Sequence, residues 1–302
     1  QGARGWSSRW NTWNKFDSQP VKLRIEALMS AKPYDPLDGI VMADSNALAE
    51  FSDRQAVPGV ASNLRPSSEP GNMIYSAANE NSDPRSAWTK AGRQFSPVLD
   101  LSGHQALGVW IYGDGRGEVL NFQLNSPQHV SHGIGEHYVV VDFCGWRYFE
   151  LIEPEGERYA EYSWPYGSAY SIYRESVNYS QIESLNLWYN NIPHGKSVTC
   201  CLKPIKALPL VNAKLINPAI TIGDGTIIFP TEIETGSYLE FYSMSDCKLY
   251  GPQGELISEV TPQSEAPILE EGDNQVKFAC DVSPNVSGRA NVTIISKDKP
   301  IQ

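Results

Sequence analysis

The chain has 302 residues and is acidic: 24 Lys and Arg stand against 35 Asp and Glu, which gives a formal net charge of −11. This charge argues against nucleic acid as the main partner, because phosphate binding needs a basic surface. No run approaches the roughly 18 apolar residues that a membrane-spanning helix needs. Charged residues make up only 20% of the chain beside 24 Gly, 21 Pro, 8 Trp, 15 Tyr and 9 Phe, and this composition favours a secreted all-β protein.

Residues 1–35 are predicted to be a lead-in that packs on the domain following it. Within them, the run VKLRIEAL at residues 21–28 alternates between apolar and polar positions, which predicts a strand rather than a helix. Trp6, Trp10 and Trp13 precede this strand. Their rings either anchor the segment or form a platform for a sugar, and anchoring is the simpler interpretation.

Residues 36–207 are predicted to form the first domain, a jelly-roll β-sandwich. Its opening part is rich in Pro, Asn and Ser, and we expect Gln55–Glu80 to be mostly loop. The aspartates and backbone carbonyl groups of Asp35–Asp44 suggest a structural calcium.

The centre of this domain consists of short β-branched or aromatic runs separated by turn-forming residues, as in an all-β sandwich. Ala106–Tyr112 and Glu118–Asn125 are predicted strands, joined by a tight glycine-rich turn at Gly113–Gly117. Further strands are predicted at His137–Phe143, Trp146–Leu151, Gln181–Tyr189 and Lys196–Lys203.

Aromatic residues concentrate in the second half of this domain, where 14 of the 32 in the chain lie between Tyr138 and Tyr189. A core cannot hide so many Tyr hydroxyl groups without partners, so some rings are expected at the surface. Exposed rings beside amides and carboxylates suit a sugar, because a ring covers the C–H face of a pyranose while polar groups bind its hydroxyls.

Strand alternation selects the candidate binding residues. Asn121 and Gln123 alternate with the apolar residues of their strand, and Asn186 and Trp188 do the same on theirs. This pattern is typical of a polar groove and also of an ordinary solvated sheet face. The groove interpretation assigns stacking to Trp188 and Tyr148, hydroxyl binding to Asn121, Gln123 and Asn186, and the rim to Trp164 and Tyr166.

An enzyme that uses the same groove is the alternative. His137 and Tyr138 adjoin at a strand start, where they could act as base and acid in a polysaccharide lyase. Glu150 is the best-placed carboxylate for a glycoside hydrolase, which needs two carboxyl groups across a cleft. The spacing of His129, His132 and His137 does not enforce a metal site, and histidines without a special role are the favoured interpretation.

Four runs of the first domain resemble the galactose-binding-like β-sandwich of carbohydrate-binding modules. They are Leu99–Gly103, Leu107–Gly115, Val119–Leu124 and Asp142–Trp146. The resemblance covers about residues 36–207 and implies a polysaccharide-binding module that accompanies bacterial glycoside hydrolases or lyases. It places the groove on Asn121, Gln123 and Trp188, with aromatic loops at the rim. The long segments 55–80 and 153–173 depart from the pattern of the family.

Residues 208–302 are predicted to form a smaller, immunoglobulin-like β-sandwich, because short strands recur there at even spacing. Gly251–Gly254 is a predicted hairpin turn between two of them. Among the five cysteines, Cys247 and Cys280 lie on separate predicted strands, and they either pair or remain small buried thiols.

These features predict a two-domain all-β protein that binds a polysaccharide or oligosaccharide without cleaving it. Its expected setting is extracellular, periplasmic or at the cell surface, as an accessory part of a glycan-degrading system. A catalytic domain of a longer parent protein is a further expected partner, and calcium is the one ion considered. A structural or adhesion module without a sugar site is the third interpretation.

Overall fold

The computed structural model describes residues 7–10, 17–83, 86–127, 133–152, 177–282 and 286–296. These residues form two compact units. One unit runs from Tyr34 to Pro209, and the other combines the residues up to Pro33 with those from Leu210 onward. The first unit is therefore inserted into the chain of the second. No helix of the described residues is long and apolar enough to cross a membrane.

Four strands of the described residues precede the inserted unit. They are β1 (Ser7–Trp10), β2 (Gln19–Pro20), β3 (Lys22–Ala27) and β4 (Ser30–Ala31).

Twelve strands and a short 3-10 helix, Ser45–Glu50, make up the described part of the inserted unit. The strands are β5 (Ile40–Ala43), β6 (Asp53–Ala56), β7 (Val60–Pro66), β8 (Met73–Asn79), β9 (Thr89–Leu99), β10 (Ala106–Asp114), β11 (Val119–Ser126), β12 (Gly133–Val140), β13 (Cys144–Leu151), β14 (Ile182–Asn190), β15 (Ser197–Leu202) and β16 (Ile205–Leu208).

Ten described strands follow the inserted unit. They are β17 (Leu210–Val211), β18 (Lys214–Ile222), β19 (Gly225–Ile228), β20 (Glu232–Glu234), β21 (Tyr238–Ser243), β22 (Asp246–Tyr250), β23 (Leu256–Glu259), β24 (Ile268–Leu269), β25 (Asn274–Val282) and β26 (Ala290–Ile295).

The inserted unit is an antiparallel β-sandwich. Sheet A has the order β5-β16-β10-β15-β8-β7, with β13 on the other side of β10, and sheet B has the order β12-β11-β14-β9-β6. Buried residues of both sheets form one apolar core, which includes Tyr75 and Ile111 from sheet A and Phe122 and Leu187 from sheet B. Between β9 and β15 the chain changes sheet repeatedly, as the predicted jelly roll requires.

The glycine-rich connection Gly113–Gly117 differs from its prediction. It joins β10 to β11, but these strands belong to different sheets, so the connection crosses the end of the sandwich and closes no hairpin. Gly115 and Gly117 take positive φ angles of 75° and 83° there. The physical reason is core formation, since Ile111 and Leu120 bury their side chains in the same core from opposite sheets.

Gln55–Glu80, expected to be mostly loop, contains two complete strands that pair with each other, β7 and β8. Strands β7 and β8 form an antiparallel hairpin along their whole length, from Val60 opposite Asn79 to Pro66 opposite Met73. Every second residue of β8, including Met73 and Tyr75, is buried in the core. The alternate positions hold Ile74, Ser76 and Ala78, so the two faces of the strand differ little in polarity and the sequence shows no clear period of two there.

The second unit also consists of antiparallel sheets around its own apolar core; its described strands form two sheets of five strands and two of two strands. Strand β3 lies between β21 and β26 in one of its sheets, and its residues Leu23 and Ile25 are fully buried in that core. The lead-in was predicted to pack on the first domain; instead, β3 belongs to the second unit, because its alternation completes that core. An immunoglobulin-like strand order stays a prediction. Cys247 and Cys280 are free thiols.

Candidate functional site

Asn121 and Gln123 project from the outer face of sheet B. Their neighbours Leu120, Phe122 and Leu124 are fully buried in the core on the opposite side of β11. The alternation of apolar and amide side chains along one strand produces this arrangement directly.

Strand register brings the polar residues of three strands together on this face. Gln123 lies opposite Glu136 of β12 on one side and Asn186 of β14 on the other. Asn121 lies opposite Tyr138 and Trp188 in the same way. We call Asn121, Gln123, Glu136, Tyr138 and Asn186 the amide–carboxylate network.

The Glu136 carboxylate is the acceptor at the centre of this network. Its Oε1 accepts hydrogen bonds from Asn121 Nδ2 at 3.1 Å and from Gln123 Nε2 at 3.0 Å. Its Oε2 accepts one from the Tyr138 hydroxyl at 2.6 Å. The residues of the network are at most 8% exposed. Hydrogen bonds to a carboxylate are about twice as strong as neutral ones, so this network holds its side chains in fixed positions.

Trp188 connects the network to the accessible part of the face. Its indole Nε1 donates to Gln123 Oε1 at 3.3 Å, and the same oxygen accepts from Asn186 Nδ2 at 2.9 Å. The Trp188 side chain is half-buried, and its ring centroid lies 5.3 Å from that of Trp88, which is also half-buried. The network therefore fixes one edge of a partly exposed indole ring.

An ion pair borders the two indole rings. Lys90 Nζ lies 2.5 Å from Asp53 Oδ2 and 5.5 Å from the centroid of the Trp188 ring. The hydrogen bond from Lys90 lowers the pKa of Asp53, so this carboxyl group is ionised at neutral pH. Gln55, whose amide donates to Asp53 at 2.9 Å, is exposed. Rings, charges and an exposed amide thus meet where strands β6, β9 and β14 adjoin.

The residues of the enzyme alternative do not share one face. His137 lies opposite Phe122 on the core side of sheet B, and its Nδ1 is 3.1 Å from the Phe122 carbonyl oxygen. Tyr138 is on the outer side, because consecutive strand residues point to opposite faces. Glu150 lies on β13 of sheet A, opposite Gly108. The base, acid and carboxylate of the enzyme alternative are therefore separated, with His137 and Tyr138 on opposite faces of sheet B and Glu150 on sheet A.

Tyr148 is also separate from the predicted groove. It lies on β13 of sheet A, opposite Trp110, with the ring centroids 5.4 Å apart. Trp164 and Tyr166, the predicted rim, lie outside the described residues. Of the predicted binding residues, the structure therefore brings together Asn121, Gln123, Asn186 and Trp188.

Sequence reasoning missed Glu136, Asp53, Lys90 and Trp88. The alternation of Glu136 and Tyr138 with His137 and Val139 was a usable signal for β12. The local sequence does not predict which residue of a neighbouring strand lies opposite Gln123, because register is a property of the paired strands.

Carbonyl groups in the segment where a calcium site is predicted bind a lysine, and the calcium itself stays a prediction. The buried Lys206 ammonium donates to the backbone carbonyl oxygens of Asp35, Pro36 and Asp38, at 2.7, 2.6 and 2.6 Å. Asp44 accepts hydrogen bonds from backbone N–H groups at the start of the 3-10 helix. Within the part of the chain described, no cluster of three His, Cys, Asp or Glu residues could hold a metal ion.

No protein-family model matches the sequence, and no curated protein matches it. The chain is similar to the family 11 carbohydrate-binding module from Clostridium thermocellum, solved in complex with a β-1,3-1,4-mixed-linked tetrasaccharide. The identity is 16%, the match covers 61% of this chain and 97% of the other, and the TM-score is 0.35.

Two further similar structures are a family 30 carbohydrate-binding module and an exo-β-agarase. The first is 11% identical over 60% of this chain and 86% of the other, with a TM-score of 0.31. The second is 11% identical over 57% of this chain and only 25% of the other, with a TM-score of 0.37. Carbohydrate-binding modules are thus among the solved structures that this chain is similar to.

Proposed function

We propose that this chain binds a polysaccharide without cleaving it, through the outer face of sheet B. The ligand would lie where Trp188 and Trp88 are accessible, beside Lys90 and Asp53. Stacking on an indole ring would bind the C–H face of a sugar, while the ion pair and the Gln55 amide would take its hydroxyl groups.

The observation that carries this proposal is the anchored indole of Trp188. Its Nε1 hydrogen bond to Gln123 ties the ring to a buried polar network while part of the ring stays accessible. A ring that is fixed before the ligand arrives loses little conformational entropy on binding. In this proposal the amide–carboxylate network positions Trp188 and does not itself contact the sugar, because its residues are buried.

The placement of the candidate acid–base residues supports binding rather than cleavage. General acid–base catalysis requires both groups within hydrogen-bond reach of one substrate. His137 points to the core, Tyr138 donates to Glu136, and Glu150 lies on the other sheet. We further propose that the chain works outside the cytoplasm, as an accessory part of a glycan-degrading system.

The test is affinity for immobilised polysaccharides, beginning with mixed-linked β-1,3-1,4-glucan and agarose. We expect Trp188→Ala to weaken binding about tenfold or more, because a stacked ring contributes on the order of 1–2 kcal/mol. Trp188→Phe keeps a ring but loses the hydrogen bond to Gln123, so its affinity should lie between those of the wild type and Trp188→Ala. Tyr242→Ala is the matched control, since this exposed aromatic residue lies in the other unit.

Reducing-end and ultraviolet assays on each bound polysaccharide separate the alternatives. Product formation by the wild type would contradict the non-catalytic part of the proposal. Binding that Trp188→Ala leaves unchanged would contradict the site. Failure to bind any polysaccharide would leave a structural or adhesion role.

A further inference from the structure

A second group of aromatic residues lies on the outer face of sheet A, within the inserted unit. Tyr112 of β10 and Trp146 of β13 are directly opposite in register, and Trp110 and Tyr148 form the next pair along the same strands. The core-facing residues of β10, such as Val109 and Ile111, alternate with them. These rings therefore all project away from the core.

Tyr112 and Trp146 form a corner. Their ring centroids are 5.5 Å apart and their planes meet at 77°, so the two rings are nearly perpendicular to each other. Tyr112 is 49% exposed and Trp146 is 40% exposed. The Lys203 ammonium lies 5.2 Å from the centroid of the Trp146 ring. We call Tyr112, Trp146 and Lys203 the aromatic corner.

A second layer of rings supports the corner. Trp110 lies 5.6 Å from Lys203 Nζ and packs against Tyr148, which in turn contacts Tyr34 with ring centroids 5.9 Å apart. Gly108 makes room for this layer, because a Cβ there would lie 3.0 Å from Tyr148 Oη and 3.2 Å from Tyr34 Cδ2. The half-buried rings hold Lys203 between the two tryptophans.

The size of the exposed surface suits a sugar better than a protein. Two aromatic side chains that are roughly half exposed offer on the order of 200 Å². A stable protein interface buries about 800 Å² on each partner. A single pyranose, in contrast, can lie with its C–H face on one ring and its edge against the other.

Charge gives the ligand its chemical class. Among the described residues, Lys203 makes no ion pair with a carboxylate, and its Nζ lies 5.6 Å from the centroid of the Trp110 ring and 5.2 Å from that of the Trp146 ring. An ammonium that lies beside aromatic rings, with no carboxylate partner among the described residues, would gain an ion pair from a sugar that carries a carboxylate or sulfate group.

We propose that the aromatic corner is a second glycan site, selective for an acidic sugar, on the face of the sandwich opposite the Trp188 site. This second site rests on the proposed function in one respect only, namely that the ligand is a carbohydrate. Two sites on opposite faces would let one chain contact two polysaccharide chains at once, and such bivalency raises the overall affinity without new contacts at either site.

The test measures binding of a short oligogalacturonate, a sulfated carrageenan oligosaccharide and a neutral agaro-oligosaccharide to the full chain. We expect the wild type to bind at least one acidic probe and Trp146→Ala to weaken that binding about tenfold. Lys203→Met should weaken binding of the acidic probes while leaving that of the neutral probe unchanged. Trp146→Phe, which keeps a ring, should lose less than Trp146→Ala.

The Trp188→Ala variant separates this proposal from the first one. If Trp188→Ala still binds an acidic probe and Trp146→Ala does not, the second site is supported. This conclusion does not depend on whether the Trp188 site binds polysaccharide. Equal affinities of wild type, Trp146→Ala and Lys203→Met for every probe would overturn it, even if Trp188→Ala abolishes polysaccharide binding. Failure of the wild type to bind either acidic probe would overturn it as well.

Discussion

Glu118 places a carboxyl group inside the protein, directly before β11. Its side chain is fully buried and lies near Asp114. Burial, together with the nearby charge of Asp114, raises the pKa of Glu118 to about 8. The folded protein therefore keeps this proton at pH values where the unfolded chain has lost it.

This difference predicts how stability depends on pH. Because the folded state holds the extra proton between the ordinary pKa of Glu, about 4.5, and about 8, the free energy of unfolding falls as pH rises through that window and is constant above it. We expect Glu118→Gln to remove this fall and to be more stable than the wild type at pH 8–9 by on the order of 1–3 kcal/mol. Denaturant unfolding followed by tryptophan fluorescence across the window measures the effect.

Glu183→Gln is the matched control, since Glu183 is exposed on β14. Its unfolding free energy should follow the wild type across the same pH range. Parallel pH profiles for Glu118→Gln and the wild type would contradict the assigned proton.

Close packing between neighbouring strands makes the position of Gly92 critical for the site. Gly92 of β9 lies opposite Asn186 of β14 and Asp53 of β6, in the outer face of sheet B. A Cβ at this position would overlap Asn186 Oδ1 and lie 3.3 Å from Asp53 Cβ. The absence of a side chain therefore lets Asn186 reach Gln123, which in turn holds Trp188.

Gly92→Ala should disturb both stability and binding. We expect an overpacking cost of about 1–3 kcal/mol, because the surrounding strands hold Asn186 in place. Displacement of Asn186 should also loosen Trp188 and lower the affinity for polysaccharide. Gly103→Ala provides the control, since a Cβ at Gly103 meets no atom within 4 Å. If both variants unfold at the same denaturant concentration, the close approach is not a constraint.

Individual strands could be predicted from the sequence, while their partners could not. The alternation around Phe122 placed Asn121 and Gln123 on the outer face, because a period of two is a local property of the strand. The position of Glu136 opposite Gln123 depends on the β11–β12 register, which the core and the connection set together. For the same reason Gly113–Gly117 looked like a hairpin turn, although it links two sheets.

The separation of Tyr148 from the groove has the same cause. Its strand alternates as predicted, with Trp146, Tyr148 and Glu150 on one side, but β13 pairs with β10 in sheet A. Alternation along a strand predicts which residues face outward, but it does not predict to which of the two sheets the strand belongs. That assignment depends on long-range packing, and it decides which of the predicted residues can meet one ligand.

At the scale of the whole molecule, one domain interrupts the other. Ile25 of β3 pairs with Leu239 and with Val292, so strands from both ends of the chain share one sheet. Such distant pairing leaves no local sign in the sequence, which is why the alternation of β3 predicted a strand but not its partners. At the base of the insertion, Ala31 of β4 pairs with Leu210 of β17.

This topology predicts which fragments fold. The fragment of residues 34–209 should fold alone, because it contains both sheets of its sandwich and their common core. The fragment of residues 210–302 should stay unfolded, because it lacks β3 and with it the buried Leu23 and Ile25. Joining residues 17–33 to 210–302 by a short Gly–Ser linker should restore the fold, since the paired Ala31 and Leu210 are close enough to be bridged. Circular dichroism and thermal unfolding show whether each of the three fragments folds cooperatively. Cooperative unfolding of the fragment 210–302 alone would contradict the prediction, because it would show that the second unit folds without β3.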